Sequence, residues 1–155
     1  MSSRVQLALN VNDIDAAVAF YARLFGAEPA KRRPGYANFA IADPPLKLVL
    51  LENPGEGGSL NHLGIEVSDA ETVEAEQARL AGAGLASVDE RATTCCYAKQ
   101  DKFWVQGTSD GERWEIYTVL ADSETFYGED QDGPRCCGAD GNQAAESAAS
   151  AASCC

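Results

Sequence analysis

The chain carries the same short pattern twice, and that repeat restricts its fold more than any other feature. Gln6 is followed five residues on by Val11 and seven on by Asp13, and His62 is followed at the same intervals by Val67 and Asp69. Each pattern reads as a strand running into a helix. Arg4 to Val11 is aliphatic and partly alternating, Asn12-Asp13 supplies an N-cap, and Ile14, Val18, Tyr21, Leu24 and Phe25 recur at helical spacing before Gly26. Tyr36 to Ile41 and Leu46 to Leu51 are predicted strands, parted by a turn whose prolines do not belong inside a ladder. Asn53 to Ser59, with three glycines and a proline, is a linker. The order then restarts, with a helix from about Asp69 to Ala81 and strands predicted over Cys95 to Ala98, Phe103 to Gln106 and Arg113 to Val119. The expected fold is α+β: two βαβββ modules, about 1–52 and 60–121, whose curved sheets form a metal-binding cleft.

From Asp122 onward the composition changes. Residues 122–155 hold seven acids and one arginine, so half of the net charge of -12 lies in that last stretch. It is rich in Ala, Ser, Gly and acids, with few apolar residues to offset the entropy of ordering, and is expected to be a disordered tail. The acidic balance argues against nucleic acid as a partner. No apolar run is long enough to span a bilayer, and no N-terminal stretch has the form of a signal peptide, so a cytoplasmic location is expected.

The six cysteines form three adjacent couples, Cys95-Cys96, Cys136-Cys137 and Cys154-Cys155, rather than the spread spacing of a disulfide framework. Adjacent cysteines make a strained, easily reduced disulfide. Thiols are therefore expected in a reducing cytosol, and two side by side suit a soft ion. The plainer reading of Cys95 and Cys96 is that one sulfur packs in the core. Lys99 and Lys102 either lower the thiol pKa values or are solvated surface charges.

His62 is the only histidine in the sequence, and it occupies the position in its module that Gln6 holds in the first. Alternation along the strand from Glu112 to Tyr117 turns Glu115 inward with Arg113 and Tyr117. Taken singly, His62 reads as a structural residue and Glu115 as a partner of Arg113 or a lysine. The equivalence of Gln6 and His62 under the repeat raises that pair, and with Glu115 they bring an imidazole, a carboxylate and an amide oxygen onto adjoining strands, like the facial triads that hold non-haem Fe(II) with open positions. Matching the turn at Asp43 with that at Asp110 sets Leu48 opposite Glu115, a position without a donor.

Asn10-Val11-Asn12-Asp13, Ala19-Phe20-Tyr21-Ala22-Arg23-Leu24-Phe25-Gly26 and Asn61-His62-Leu63-Gly64-Ile65-Glu66-Val67 resemble the vicinal oxygen chelate superfamily of glyoxalases, extradiol dioxygenases and bleomycin-resistance proteins, over about Arg4 to Val119. Lys31 to Leu51, Thr93-Thr94-Cys95-Cys96-Tyr97 with Gln100-Asp101-Lys102, and Glu112-Arg113-Trp114-Glu115 are similar to the ArsI carbon-arsenic lyases and the related cadmium-induced CadI proteins. That resemblance implies an Fe(II)-dependent dioxygenase that cleaves the carbon-arsenic bond of trivalent organoarsenicals, methylarsenite and reduced aromatic arsenicals, to release arsenite. By the same resemblance Gln6, His62 and Glu115 hold iron and Cys95 and Cys96 hold arsenic, with dioxygen as co-substrate. Glutamine at the first ligand position departs from members with histidine there. The loop from Arg91 to Cys96 is expected to open for substrate and close over it.

Two other readings stand beside this one. A thiol-based store for cadmium or arsenite fits the cadmium-induced relatives and the extra thiol couples, and a glyoxalase-type isomerase or thiol transferase fits the fold but expects a fuller ligand set. The sequence leaves the oligomeric state open, a homodimer included.

Overall fold

The structure, a computed structural model, describes residues 3–127. The remainder of the stretch expected as a tail, with its two cysteine couples, lies outside the described residues. Ten elements follow one another: β1 (Arg4–Val11), α1 (Ile14–Phe25), β2 (Lys31–Arg33), β3 (Tyr36–Ile41), β4 (Leu46–Glu52), β5 (Leu60–Glu66), α2 (Ala70–Gly82), β6 (Val88–Cys95), β7 (Ala98–Gln106) and β8 (Arg113–Asp122). The strands form a single curled sheet in the order β2-β3-β4-β1-β5-β8-β7-β6. The two modules meet where β1 and β5 pair antiparallel, Leu7 opposite Leu63, while β1 pairs parallel with β4 and β5 parallel with β8.

Local chemistry fixes both helices. Asp13 caps α1 through its side chain to the Ala16 amide, and Gly26 ends the helix with φ 62°, a left-handed conformation that costs glycine little. Asp69 caps α2 in the same way through the Thr72 amide. Each helix covers the outer face of its own module. Ile14 and Val18 pack on Phe39, Leu48 and Leu50, and Val73 packs on Phe103, Val105 and Ile116. Burying these apolar faces outside leaves the inner face of the sheet for polar residues at alternate positions.

Three expectations change. Cys95 to Ala98 is a hairpin rather than a strand: β6 and β7 pair with Cys95 opposite Ala98, and Cys96 and Tyr97 form the two-residue turn with φ 52° and 60°. Of the stretch from Arg91 to Cys96, expected as a closing loop, Arg91 to Cys95 belongs to β6, which pairs with β7 across a bulge between Glu90 and Thr93. The short basic strand β2, the first of the three strands that the βαβββ pattern requires after α1, has too few residues to show a periodicity and is not located from the sequence; charged side chains are common on such edges.

Candidate metal centre and thiol turn

Gln6, His62 and Glu115 converge on the inner face, 3 %, 0 % and 1 % exposed. The pairing between modules brings them there. Gln6 lies opposite Gly64 on β5, and Gly64 in turn lies opposite Glu115 on β8. Gln6 Nε2 donates to Glu115 Oε1 at 2.5 Å and stands 3.1 Å from His62 Nε2, which is 3.2 Å from the same carboxylate oxygen. His62 Nδ1 is 2.8 Å from Asn61 Oδ1. An amide oxygen only accepts, so Nδ1 donates to it, which leaves Nε2 as the ring nitrogen that faces Gln6 and Glu115 and, without a proton, could bind a metal. Trp104 packs edge-on against the imidazole, ring centroids 5.2 Å apart.

Burial alone would raise the Glu115 pKa, but the Lys102 ammonium, His62 and hydrogen bonds from His62 and Gln6 hold it down at about 2. Lys102 Nζ is 3.3 Å from Glu115 Oε2 and 3.7 Å from Glu90 Oε2, and the residue is fully buried. Lys102 therefore secures the carboxylate rather than lying on the surface. Lys99 is exposed on the opposite face of β7.

The donor set fits a divalent ion such as Fe(II) or Mn(II). His62 Nε2 and Glu115 Oε1, 3.2 Å apart, would serve one such ion, and the Gln6 amide, whose Nε2 stands 3.1 and 2.5 Å from them, would join with its oxygen turned inward. Gly64 keeps the space open, since a Cβ there would lie 3.0 Å from Glu115 Cγ and 3.1 Å from Gln6 Nε2. Among the described residues no group of three His, Cys, Asp or Glu side chains could hold a metal, and Gln6 is the further oxygen-bearing side chain in contact with His62 and Glu115. All three come from one chain, and no second copy is needed to assemble them.

The fourth position of the internal symmetry is held by Val49, not by Leu48. Ala8 and Gly64 are equivalent under the repeat, and they pair with Val49 and Glu115 respectively. Leu48 points outward into the core under α1, whereas Val49 lines the inner cavity. The position still carries no donor.

A cavity of about 280 Å³ opens beside the triad, lined by Gln6, Glu115, Lys47, Val49, Tyr36 and Cys96 among others. The Cys96 sulfur is 3.9 Å from that of Cys95, and both residues are buried. Cys96 keeps its thiol. Cys95 departs from the expectation of a thiol: it is disulfide-bonded, though not to Cys96, whose sulfur stands 3.9 Å away. The turn that presents them is costly for residues other than glycine, because each positive φ brings Cβ against the following carbonyl. Opposing elements hold it. Lys31 Nζ and the Ser123 amide both donate to Tyr97 O, and the Tyr97 ring packs on Tyr36 and Phe126.

Two residues of this site carry no role in the sequence reading, although alternation already turns Tyr117 inward with Glu115. Tyr117 donates to Gln6 Oε1 at 2.5 Å and also stands 3.3 Å from Glu66 Oε2. Glu66 is buried and ion-paired to Arg4 at 2.8 Å. Both alternate in step with identified site residues, Tyr117 with Glu115 and Glu66 with His62, and for Glu66 that spacing is the signal which could have found it.

The model of the Glyoxalase/Bleomycin resistance protein/Dioxygenase superfamily matches residues 4–116. The chain belongs to this superfamily. Cadmium-induced protein CadI of Mycobacterium tuberculosis is 73% identical over 124 residues, covering 80% of this chain and 81% of that protein. A trivalent organoarsenical cleaving enzyme of Thermomonospora curvata is 58% identical over 125 residues, covering 80% and 82%. Among solved structures an extradiol ring-cleaving dioxygenase from B. fuscum superposes with a TM-score of 0.55 at 17% identity, over 80% of this chain and 34% of that one, which speaks for the shared superfamily fold. No helix among the described residues is long and apolar enough to cross a membrane.

Proposed function

We propose that this protein cleaves the carbon-arsenic bond of trivalent organoarsenicals and releases arsenite, with Fe(II) held by Gln6, His62 and Glu115, arsenic held by Cys95 and Cys96, and dioxygen as co-substrate. The observation that carries this reading is the single cavity bordered both by the triad residues Gln6 and Glu115 and by Cys96. The relative from Thermomonospora curvata, named as a trivalent organoarsenical cleaving enzyme, supports it.

Each part of the chemistry falls to groups suited to it. Trivalent arsenic is soft and favours sulfur over oxygen, whereas imidazole, carboxylate and amide oxygen favour a harder divalent ion, so the two centres do not compete. Each thiol that condenses with an arsenic hydroxyl forms one sulfur-arsenic bond and releases one water. Two neighbouring sulfurs fix the arsenic at a defined place in the cavity, which replaces a chance encounter by a held geometry. Ferrous iron at the triad would supply the redox chemistry toward dioxygen. Lys102 keeps Glu115 ionised as a donor, and Asn61 keeps the His62 lone pair on Nε2. Arsenic capture by both sulfurs requires reduced Cys95, in keeping with work in a reducing cytoplasm.

A second reading is a thiol-based store for cadmium or arsenite, favoured by the 73% identity to a cadmium-induced protein. One experiment separates the two. Reduced protein is loaded with Fe(II) without air, methylarsenite is added, air is admitted and arsenite is measured by chromatography, beside Cys95→Ser and His62→Ala. Release over many turnovers, lost in both variants, supports the lyase. Binding that saturates without release, and is weakened only by the cysteine substitution, supports the store.

A further inference from the structure

Gln6 is the unusual member of the triad, because the two ends of its amide have nearly the same shape and opposite chemistry. In this structure Nε2 faces inward, donating to Glu115 Oε1 and approaching His62 Nε2, while Oε1 accepts the Tyr117 hydroxyl proton at 2.5 Å. A cation requires the reverse, since an amide N–H has no lone pair to give. Turned end for end, the amide brings its oxygen toward the Glu115 carboxylate and the His62 lone pair. Three acceptors then face one another, a repulsive set unless positive charge stands among them. The same rotation turns Nε2 toward Tyr117. The phenol can accept that N–H only if its own proton points elsewhere, and Glu66 Oε2 is 3.3 Å away. Glu66 is held in place by Arg4 at 2.8 Å and by Lys47 at 3.9 Å.

We propose that Tyr117 and Glu66 form a two-position hydrogen-bond relay that orients the Gln6 amide for a divalent cation. Without the cation Tyr117 donates to Gln6 Oε1; with it, Tyr117 accepts from Gln6 Nε2 and donates to Glu66. In both states the Tyr117 hydroxyl proton and one Gln6 N–H have acceptors, and in the second the hydroxyl, now at 3.3 Å from Glu66 Oε2 as a lesser contact, gives its proton wholly to that buried carboxylate. Tyr117 and Glu66 are positioning residues, acting on the metal only through Gln6. The inference rests on the metal-site part of the proposed function and is independent of the arsenic chemistry.

The test is Mn(II) binding to the full-length protein, followed by electron paramagnetic resonance of the unbound ion, because thiols compete poorly for this hard metal. Tyr117→Phe and Glu66→Gln are measured with Gln6 present and again in a Gln6→Glu background, where both ends of the side chain are oxygens and no orienting is required. Loss of an outer-shell partner typically weakens metal affinity about 10–100-fold. That loss is expected for Tyr117→Phe with Gln6, with a smaller loss in the same direction for Glu66→Gln, and under about threefold for either in the Gln6→Glu background. Equal losses in the two backgrounds would mean that Tyr117 acts by packing alone and would overturn the relay. So would unchanged affinity in Tyr117→Phe while His62→Ala abolishes binding. If His62→Ala binds Mn(II) like the native protein, the metal site itself fails and the relay fails with it.

Discussion

Lys31 Nζ donates a hydrogen bond to the carbonyl of Tyr97 at 2.8 Å, although β2 and the β6–β7 hairpin stand at opposite ends of the strand order. The sheet curls far enough for its two ends to meet over the cavity. The same ammonium reaches Asp122 at 2.7 Å, so one side chain joins the first module to the thiol turn and to the end of β8.

Lys31→Met tests that junction. The Asp122 carboxylate is solvent-exposed and its pairing contributes little, but the bond to Tyr97 O is charge-assisted and partly buried. We expect a loss of about 1–2 kcal/mol in urea unfolding. Arsenical affinity should fall by more than stability alone explains, since the positive φ values of Cys96 and Tyr97 persist only while their surroundings hold the turn. Unchanged affinity in a destabilised protein would show that the turn holds its own shape.

Lys102→Met should be the more damaging change. It strips Glu115 and Glu90 of a buried cation, and breaking such a pair by removing one partner costs about 3–5 kcal/mol. The pH dependence has a fixed sign. The Glu115 pKa is depressed from its ordinary value of 4.5 to about 2 in the folded protein, so its ionised form contributes stability that is complete above about pH 4.5 and is lost as pH falls toward 2. Without Lys102 the depression shrinks, and acid unfolding should begin at higher pH. Added Mn(II) should restore part of the lost stability, because a bound cation replaces the missing charge beside Glu115.

How much of the site the sequence disclosed depended on which signal each residue carried. Gln6 and His62 could be matched because the repeat places them in equivalent strands, and Glu115 followed from alternation. The thiol hairpin was hidden because a two-residue turn with both φ positive usually announces itself with Asn-Gly, and here the residues are Cys96 and Tyr97. Anchoring the match on the turns leads to Leu48 in place of Val49. The connection from β3 to β4 spans 42–45 and that from β7 to β8 spans 107–112, four residues against six, so aligning the turns shifts the strands out of register. A slip of one residue moves every side chain to the other face.

Val49→Glu puts that corrected register to work. Val49 is 2 % exposed on the cavity wall, at the position symmetric with Glu115, and a carboxylate there would add a fourth donor. We expect tighter Mn(II) binding by at least about tenfold, the scale on which ligand-shell changes act, together with slower arsenite release because a position needed by the reactants is filled. Leu48→Glu, aimed into the core under α1, should instead unfold the first module without any gain in metal affinity.

Gly64→Ala offers the finest test of how tightly the triad is set. Gly64 lies between Gln6 and Glu115 in the ladder, and its φ does not demand glycine; the space does. An added Cβ would meet Glu115 Cγ at 3.0 Å, Gln6 Nε2 at 3.1 Å and Gln6 Cβ at 3.3 Å, so both ligand side chains must retreat by a few tenths of an ångström. In an ordinary strand alanine is at least as favourable as glycine, because it restricts the unfolded chain. Here the crowding works against that gain, and overpacking of this kind typically costs about 1–3 kcal/mol. Metal affinity is the decisive measurement, because the displaced side chains are the ones that carry the proposed donors. A drop in Mn(II) affinity larger than the drop in stability places the cost at the triad, whereas equal affinity in a stabilised protein would mean that Gln6 and Glu115 have room to spare.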